Sequence, residues 1–574
     1  MERQKYFCYT YIIKRDTKGE YTGMKMEIRR KDVILICLFT IGFFCIALWG
    51  LGSHSIPQTE QELLAREDGA KEVVLYFEEG QQLSELLLFT GYRAAGEVTV
   101  SVASGTDWQI VQSGEELDSV FAWNKIPVSY QTSCLGLVFS DASVNLMELV
   151  CLDADGEPVI PVNAMQYPEL FDEQELYGEG ITYQDQTIFD EIYHGRTAYE
   201  FLHGLSIYEN THPPLGKTLI SVGIAVFGMN PFGWRFMCVV FGSLMMPFIY
   251  LFGLRLMGKT RYACLAAVLL GMDFMHFTLS RIATIDIIVA FFILGMFYFM
   301  YAYVLSEKRR YLLLAGLFTG LGCATKWTGI YALCGLFVVF LLWMIRKIRE
   351  IGVKKETRRY WTVLCLQCIG CFVLLPFMIY TLSYIPFVRV YPDQNLLQHV
   401  FSNGELMLSY HKATIFDHPY ASPWYSWLFD WKPLLDSREY LAGDRVSVIA
   451  TFGNPVLYFA GLFAYGREIW RTFRHREKSA AVLVLYYTVM LLPWIFIRRT
   501  VFIYQYYVCS VVLVLLLCHS VSKKKGVHEK IAYWGLLAAS VLLFVLFYPV
   551  ISGLVVPAAY IRQVIPWLPN WRFL

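Results

Sequence analysis

The chain of 574 residues is 56% hydrophobic and 16% aromatic, and its 49 Lys and Arg nearly balance 48 Asp and Glu. The apolar residues gather in repeated runs of about 18 to 22, the length that spans a bilayer core, which excludes a soluble globular protein. The balance hides an asymmetry: residues 57–185 hold 24 acidic and only 4 basic residues, while Lys and Arg cluster in short loops elsewhere, and no nucleic-acid partner is expected.

Residues 1–32 read as a cytoplasmic segment, because "MKMEIRRKD" puts positive charge just before the first span. Met24 and Met26 are alternative starts within it. The apolar run 33–51 is longer than a signal-peptide core and ends without a small-x-small cleavage site, so it is expected to remain as the first transmembrane helix.

Residues 57–185 follow as a separate extracytoplasmic domain. The runs "EVVLYF", "LLLFTG", "EVTVSVAS", "WQIVQS", "LGLVFS" and "LMELVCLDADG" are short, β-rich and separated by Gly, Asp and Ser turns, the pattern of a β-sandwich. The series resembles galactose-binding-like jelly rolls, which implies a carbohydrate ligand; a protein ligand or a plain spacer suits the composition as well. Trp108 and Trp123 are expected in the sandwich core rather than on a sugar. Cys134 and Cys151 are a candidate disulfide, whose geometry sequence does not fix.

Residues 186–552 read as a membrane-embedded domain, and 553–574 as an extracytoplasmic tail. The stretch 214–228, "PLGKTLISVGIAVFG", is short for a span and contains Lys217, which suits an interfacial helix. With it left at the surface, spans follow near 234–254, 262–280, 285–305, 311–325, 328–345, 361–384, 447–465, 480–497, 501–521 and 531–552. The loops "RLMGKTR", "SEKRR", "RKIREIGVKKETRR", "GREIWRTFRHREK" and "SKKKGVHEK" then all fall on the cytoplasmic side. The fold class expected is mainly α, with about eleven transmembrane helices and an inserted β-sandwich. The cysteines of "CLQCIGC" lie mid-span and fan around the helix, so they are not read as a metal site.

This threading collects Asp190, Glu191, His212, Lys217, Arg281, Asp286, Lys326, the loop 386–446, Arg498 and Arg499 at the outer membrane surface. Ionisable residues at that depth are costly unless paired or functional. A carboxylate can take a proton from an acceptor while cations hold an anionic leaving group, as a phosphate-linked lipid requires. No metal and no cofactor is expected, since arginines suffice for a monophosphate donor.

The segments "FDEIYHGRTAYEF", "HPPLGK", "SRIATIDIIVAFF", "TKWTG", "LSYHKATIFDHPYASPWYSW", "GNPV" and "RRTVFIYQYY" occur in an order and spacing that resembles the protein O-mannosyltransferase family, from about residue 186 to 521. That resemblance implies a membrane glycosyltransferase C-type fold and inverting transfer of mannose, or a related sugar, from a polyprenyl-phosphate donor to Ser or Thr of secreted or membrane proteins. It implies Asp190 as general base and Glu191 as its partner. Arg281, Arg498, Arg499 and Lys217 match positions near the donor phosphate, and His212, Asp286, Tyr410, His411, His418, Trp424 and Gln505 match the sugar and acceptor pocket. Gln505 stands where many relatives have His, keeping a hydrogen-bond donor and losing the titratable group. The acidic β-domain replaces a short connection usual in the family, and 386–446 is too short for the sugar-binding domain of eukaryotic members, so a bacterial plasma membrane is expected. A wall glycopolymer or lipid is the alternative acceptor. A transporter or sugar-binding receptor is the alternative class, although no inverted repeat is apparent.

Overall fold

A computed structural model describes residues 28–574 except 94–95, 105–106, 142 and 179. Met24 and Met26 therefore lie outside the described residues. Helix α1 (Arg30–Leu48) leads into the β-domain, whose strands are β1 (Lys71–Thr90), β2 (Gly96–Ser104), β3 (Asp107–Leu117), β4 (Ala122–Phe139), β5 (Leu146–Asp153) and β6 (Pro158–Val159). They form one six-stranded sheet in the order β3-β2-β4-β1-β5-β6, antiparallel at every pairing. The first half of β1 pairs with the second half of β4, and its second half with β4 and β5, with register shifts at Tyr76/Gln81 and Leu83/Glu85. Such irregularities bend long strands. Val98 and Val100 of β2 share one core with Leu149 and Cys151 of β5, so the expected two-sheet sandwich is instead a single sheet with its own apolar interior.

Trp123 is buried in that domain and meets Phe89 edge-on at 5.3 Å, whereas Trp108 is 52% exposed on β3, where it covers Gly136. The core reading therefore fails for Trp108, which sits on the sheet's edge strand, and for Trp123 it holds only as burial, because Trp123 packs in the apolar cluster shared with the membrane helices rather than in the sheet's own core. Cys134 and Cys151 are both unbonded thiols. Cys134 is registered with Tyr76 and Cys151 with Leu86 on the same strand, a separation that no disulfide spans.

The membrane part continues with α2 (Glu191–His203), α3 (Leu215–Phe227), α4 (Pro231–Met257), α5 (Thr260–Gly271), α6 (Phe274–Leu279), α7 (Ile285–Ser306), α8 (Arg309–Thr325), α9 (Thr328–Ile351), α10 (Arg358–Ile369), α11 (Leu375–Leu382) and α12 (Ile385–Val390). Beyond it come α13 (Leu396–Ala413), α14 (Trp424–Trp427), β7 (Leu434–Leu441), β8 (Arg445–Thr451), α15 (Pro455–His475), α16 (Lys478–Leu491), α17 (Tyr507–Ser522), α18 (Gly526–Ser552), β9 (Val556–Pro557) and α19 (Ala558–Gln563). Among the described residues eight helices are long and apolar enough to cross a bilayer. The other expected spans are largely helical, but α5 and α6 break at Asp273, α8 is 17 residues long and the second half of α15 is charged.

The span expected at 447–465 is displaced. Arg445–Thr451 is instead the central strand of a three-stranded sheet, β7-β8-β9, and α15 begins only at Pro455. The β-branched residues Val446, Val448, Ile449 and Thr451 of "RVSVIAT" favour a strand. Asn454 then caps the helix, its side chain accepting from the Val456 N–H at 3.1 Å, with Pro455 in the first turn.

The β-domain is firmly seated. Phe89, Val120, Phe121 and Trp123 belong to the same apolar cluster as the membrane helices. Phe121 meets Tyr199 of α2 edge-on at 5.2 Å, and Lys125 reaches Glu439 of β7 at 2.9 Å. This docking places α2 between the two domains.

Candidate active site

The site is built on the turn that opens α2. Phe189 has φ +46°, a left-handed conformation that costs a bulky residue energy, and its ring is held against Phe502 and Tyr504 at 6.4 and 5.8 Å. Asp190 follows as the residue preceding the first helical turn. Behind it Glu191 is completely buried and clamps the turn: its carboxylate accepts from Arg235 Nε and Nη2 at 2.7 Å each, from the Ile188 N–H at 3.0 Å and from the Ala283 N–H at 2.8 Å. Arg235 also donates to the carbonyls of Leu51 and Gln186, at 3.0 and 3.1 Å. Glu191 thus faces away from any reacting group and fixes the direction of Asp190.

Asp190 is half-buried, and its carboxyl is pushed up to about 7, first by burial and then by the neighbouring Asp286 carboxylate; the Lys326 ammonium and a hydrogen bond from Tyr504 oppose the rise. Asp286, from the first turn of α7, and Lys326, between α8 and α9, form an ion pair with both N···O distances 2.9 Å. The Lys326 ammonium lies 5.4 Å from the Tyr504 ring centre. Asp286, Lys326, Tyr504 and Gln505 line one small cavity.

A histidine cluster flanks this group. The His212 ring centre lies 5.4 Å from His411 and 6.1 Å from His194. Burial lowers all three, His194 to about 3 and His411 to about 4, so each is a neutral hydrogen-bonding group at pH 7. The Nδ1 atoms of His194 and His411 are buried and without a hydrogen-bond partner among the described residues, which suits a polar ligand. Lys217 stands behind them. Its buried ammonium pairs with the Glu209 carboxylate and donates to the carbonyls of Glu209 and His212 at 2.8 and 3.2 Å, so it shapes the His212 turn from within.

Arg281 is placed away from this centre. Its guanidinium donates to the carbonyls of Ala47, Trp49 and Gly50 at 2.7, 2.6 and 2.6 Å, closing the C-terminal end of α1. Arg498 is exposed and Arg499 half-buried, without a carboxylate partner among the described residues; Arg499 lies close enough to His411 and Tyr504 to act on both electrostatically. Tyr410 adjoins His411 with ring centres 5.5 Å apart. His418 packs edge-on against Phe502 at 5.0 Å, and Trp424 lies half-buried against the main apolar core.

The structure therefore joins Asp190, Asp286, His212, His411, Tyr410, Arg499 and Gln505, and sets Glu191, Lys217 and Arg281 behind them as supports. Sequence reasoning singled out none of Arg235, Glu209, His194 and Tyr504. Tyr504 lies inside the "YQYY" segment and His194 one helical turn after Asp190, a spacing that signals a shared face; Arg235 and Glu209 carry no local signal.

A bundle of apolar helices that gathers a carboxylate, cations and neutral imidazoles in one cluster is the equipment of a multi-pass membrane enzyme. Residues 211–380 match the dolichyl-phosphate-mannose-protein mannosyltransferase family and residues 396–571 match the C-terminal four-helix region of protein O-mannosyltransferases. The chain belongs to the protein O-mannosyltransferase family. It is 25% identical to the polyprenol-phosphate-mannose--protein mannosyltransferase of Mycolicibacterium smegmatis over 67% of this chain and 87% of that protein. The namesake of Corynebacterium glutamicum is 24% identical over 63% of this chain and 81% of its own. The fold is similar to the S. cerevisiae protein O-mannosyltransferase Pmt1-Pmt2 complex bound to its sugar donor, with TM-score 0.59 and 12% identity over 67% of this chain and 89% of that one.

Proposed function

We propose that this chain moves mannose from a polyprenyl-phosphate carrier to Ser and Thr hydroxyls of secreted or membrane proteins, with inversion at the anomeric carbon. The observation that carries the reading is Asp190 itself: a carboxyl pushed up to about 7, held by a strained turn beside the Asp286–Lys326 ion pair and Tyr504. A general base works best when its acidity lies near the working pH.

In this mechanism Asp190 takes the proton of the acceptor hydroxyl as its oxygen attacks the anomeric carbon. The bond from that carbon to phosphate breaks on the opposite face, and the electron pair leaves with the lipid phosphate. Arg499 and Arg498 are the cations free to meet that charge, with the Lys326 ammonium close by but shared with Asp286. Arg281 and Lys217 act through the scaffold, as their bonds to carbonyls and to Glu209 suggest. The orphan nitrogens of His194 and His411 are suited to sugar hydroxyls. No step in this scheme calls for a metal or other cofactor.

The same reading puts the amino terminus in the cytoplasm and the β-domain and site outside. Replacing Arg499 with Ala should lower turnover with mannose bound to a polyprenyl phosphate by about 10- to 1000-fold, the range for loss of one charge-stabilising donor. An unchanged rate would remove it from the phosphate site.

A further inference from the structure

An open groove lies away from the reacting centre, where the β-domain meets α2. It encloses about 830 Å³. Its floor is α2 and the chain just after it: Arg196 lies 3.8 Å over the ring of Tyr208 and is bonded to Glu200 at 2.9 Å. Its other wall is the β-domain, which contributes the exposed carboxylates Glu97, Glu116, Asp118 and Asp141 against the single cation Arg93.

Two features connect this groove to Asp190. Positions 190, 193, 196 and 200 are spaced by three, three and four residues, so they share one face of α2. Tyr193 bridges the interval, stacking on Tyr208 with ring centres 6.3 Å apart and planes 2° from parallel. Ten residues of helix rise about 15 Å, which four or five residues of extended chain also cover.

We propose that the groove holds the acceptor polypeptide, and that its acidic wall selects substrates with Lys or Arg four or five residues from the modified Ser or Thr. The inference rests on the protein-acceptor reading above and specifies it. An anionic lipid phosphate would be repelled by four carboxylates and find no continuous apolar wall for its tail. A neutral glycan would gain nothing from them, and Tyr92 and Tyr208 each already carry a guanidinium on one ring face, at 5.2 and 3.8 Å. A peptide matches both the charge and the edge strand: Glu116 and Leu117 end β3, whose only ladder partner among the described residues is β2. The β-domain, on this view, is the acceptor-reading part of the enzyme, fixed to α2 by its apolar seat.

The test uses the full chain in liposomes with polyprenyl-phosphate-mannose and synthetic peptides. One Thr peptide carries two Lys four and five residues away, a second carries two Glu there, and a third is a blocked tripeptide too short to reach the groove. Wild type should show a KM about three- to tenfold lower for the Lys peptide than for the Glu peptide, and 0.5 M NaCl should shrink the difference, as expected for exposed charge pairs. The exposed pair Glu116→Lys with Asp118→Lys should invert that preference, so that the Glu peptide has the lower KM. Equal KM values for both long peptides in wild type, or a preference untouched by the reversal, would overturn the groove assignment and leave the mannosyltransferase reading standing. Failure of wild type to modify any of the three peptides would sink both.

Discussion

A carboxylate that titrates near pH 7 loses half of its basic form there, and this sets how the enzyme should respond to pH. Transfer should rise from pH 6 to 8 with a midpoint near 7 as Asp190 ionises. Stability should run the other way. Because burial raises the folded-state value above the ordinary 3.8, the folded chain holds a proton that the unfolded chain has released between about pH 4 and 7, so stability falls through that window. Asp190→Asn should flatten that slope in pH-dependent unfolding. The buried Glu191 and Arg235 pair behaves differently: Glu191→Gln or Arg235→Met leaves one buried partner stranded and should cost about 3 to 5 kcal/mol of stability, with the double variant less harmful than the sum. Thermal unfolding in detergent, followed by tryptophan fluorescence, reads both. The adjacent acidic pair at the opening of α2 was legible as a site, but not the opposite facing of its two members. That division depends on Arg235, 44 residues downstream, and no local pattern announces such a pairing. Arg281 illustrates the same limit, since its place in "SRIATID" carries no information about the carbonyls of α1 that meet it.

At the scale of elements, the junction from β8 to α15 is sensitive to single substitutions. Gly453 sits where any Cβ would overlap the ring of Tyr458, and Asn454 both caps α15 and donates to the carbonyls of Met272 and Ser540 at 2.9 and 3.2 Å. Gly453→Ala should destabilise by about 1 to 3 kcal/mol through overpacking, and Asn454→Ala by about 1 kcal/mol or more through the lost cap. If neither lowers the unfolding temperature, the junction is looser than drawn. Hydropathy located the long helices because length and composition alone define them. It misplaced the start of α15 because a buried strand and a membrane helix are both continuous apolar runs, and only the enrichment in β-branched residues before "GNP" distinguishes them. Asp273 likewise interrupts an apolar run that reads as one span; its carboxylate accepts from the Asn454 N–H and Ser510 hydroxyl, partners far away in sequence.

For the whole molecule, the acidic β-domain is joined to α2 by Phe121 and Tyr199 and to β7 by the Lys125–Glu439 pair. The proposed orientation predicts that a membrane-impermeant maleimide labels Asp155→Cys in intact cells and leaves Lys525→Cys unlabelled until the membrane is opened, relative to the unsubstituted chain. The reverse pattern would put the site on the wrong side for secreted acceptors. Charge counts alone disclosed the domain as separate and acidic, and its strand runs disclosed an antiparallel β-domain, but not that all six strands join in one sheet. Its seating on α2 was hidden, since Phe121 and Tyr199 are ordinary core residues until both domains are seen together. The central claim is that Asp190 is the base of a mannosyl transfer, and its most direct test is transfer by the purified chain in liposomes from polyprenyl-phosphate-mannose to secreted proteins, beside Asp190→Asn. Mannose on Ser or Thr with wild type, reduced about 100- to 10,000-fold in a folded variant, is the result expected. Transfer undiminished in Asp190→Asn, or none from wild type, would contradict it.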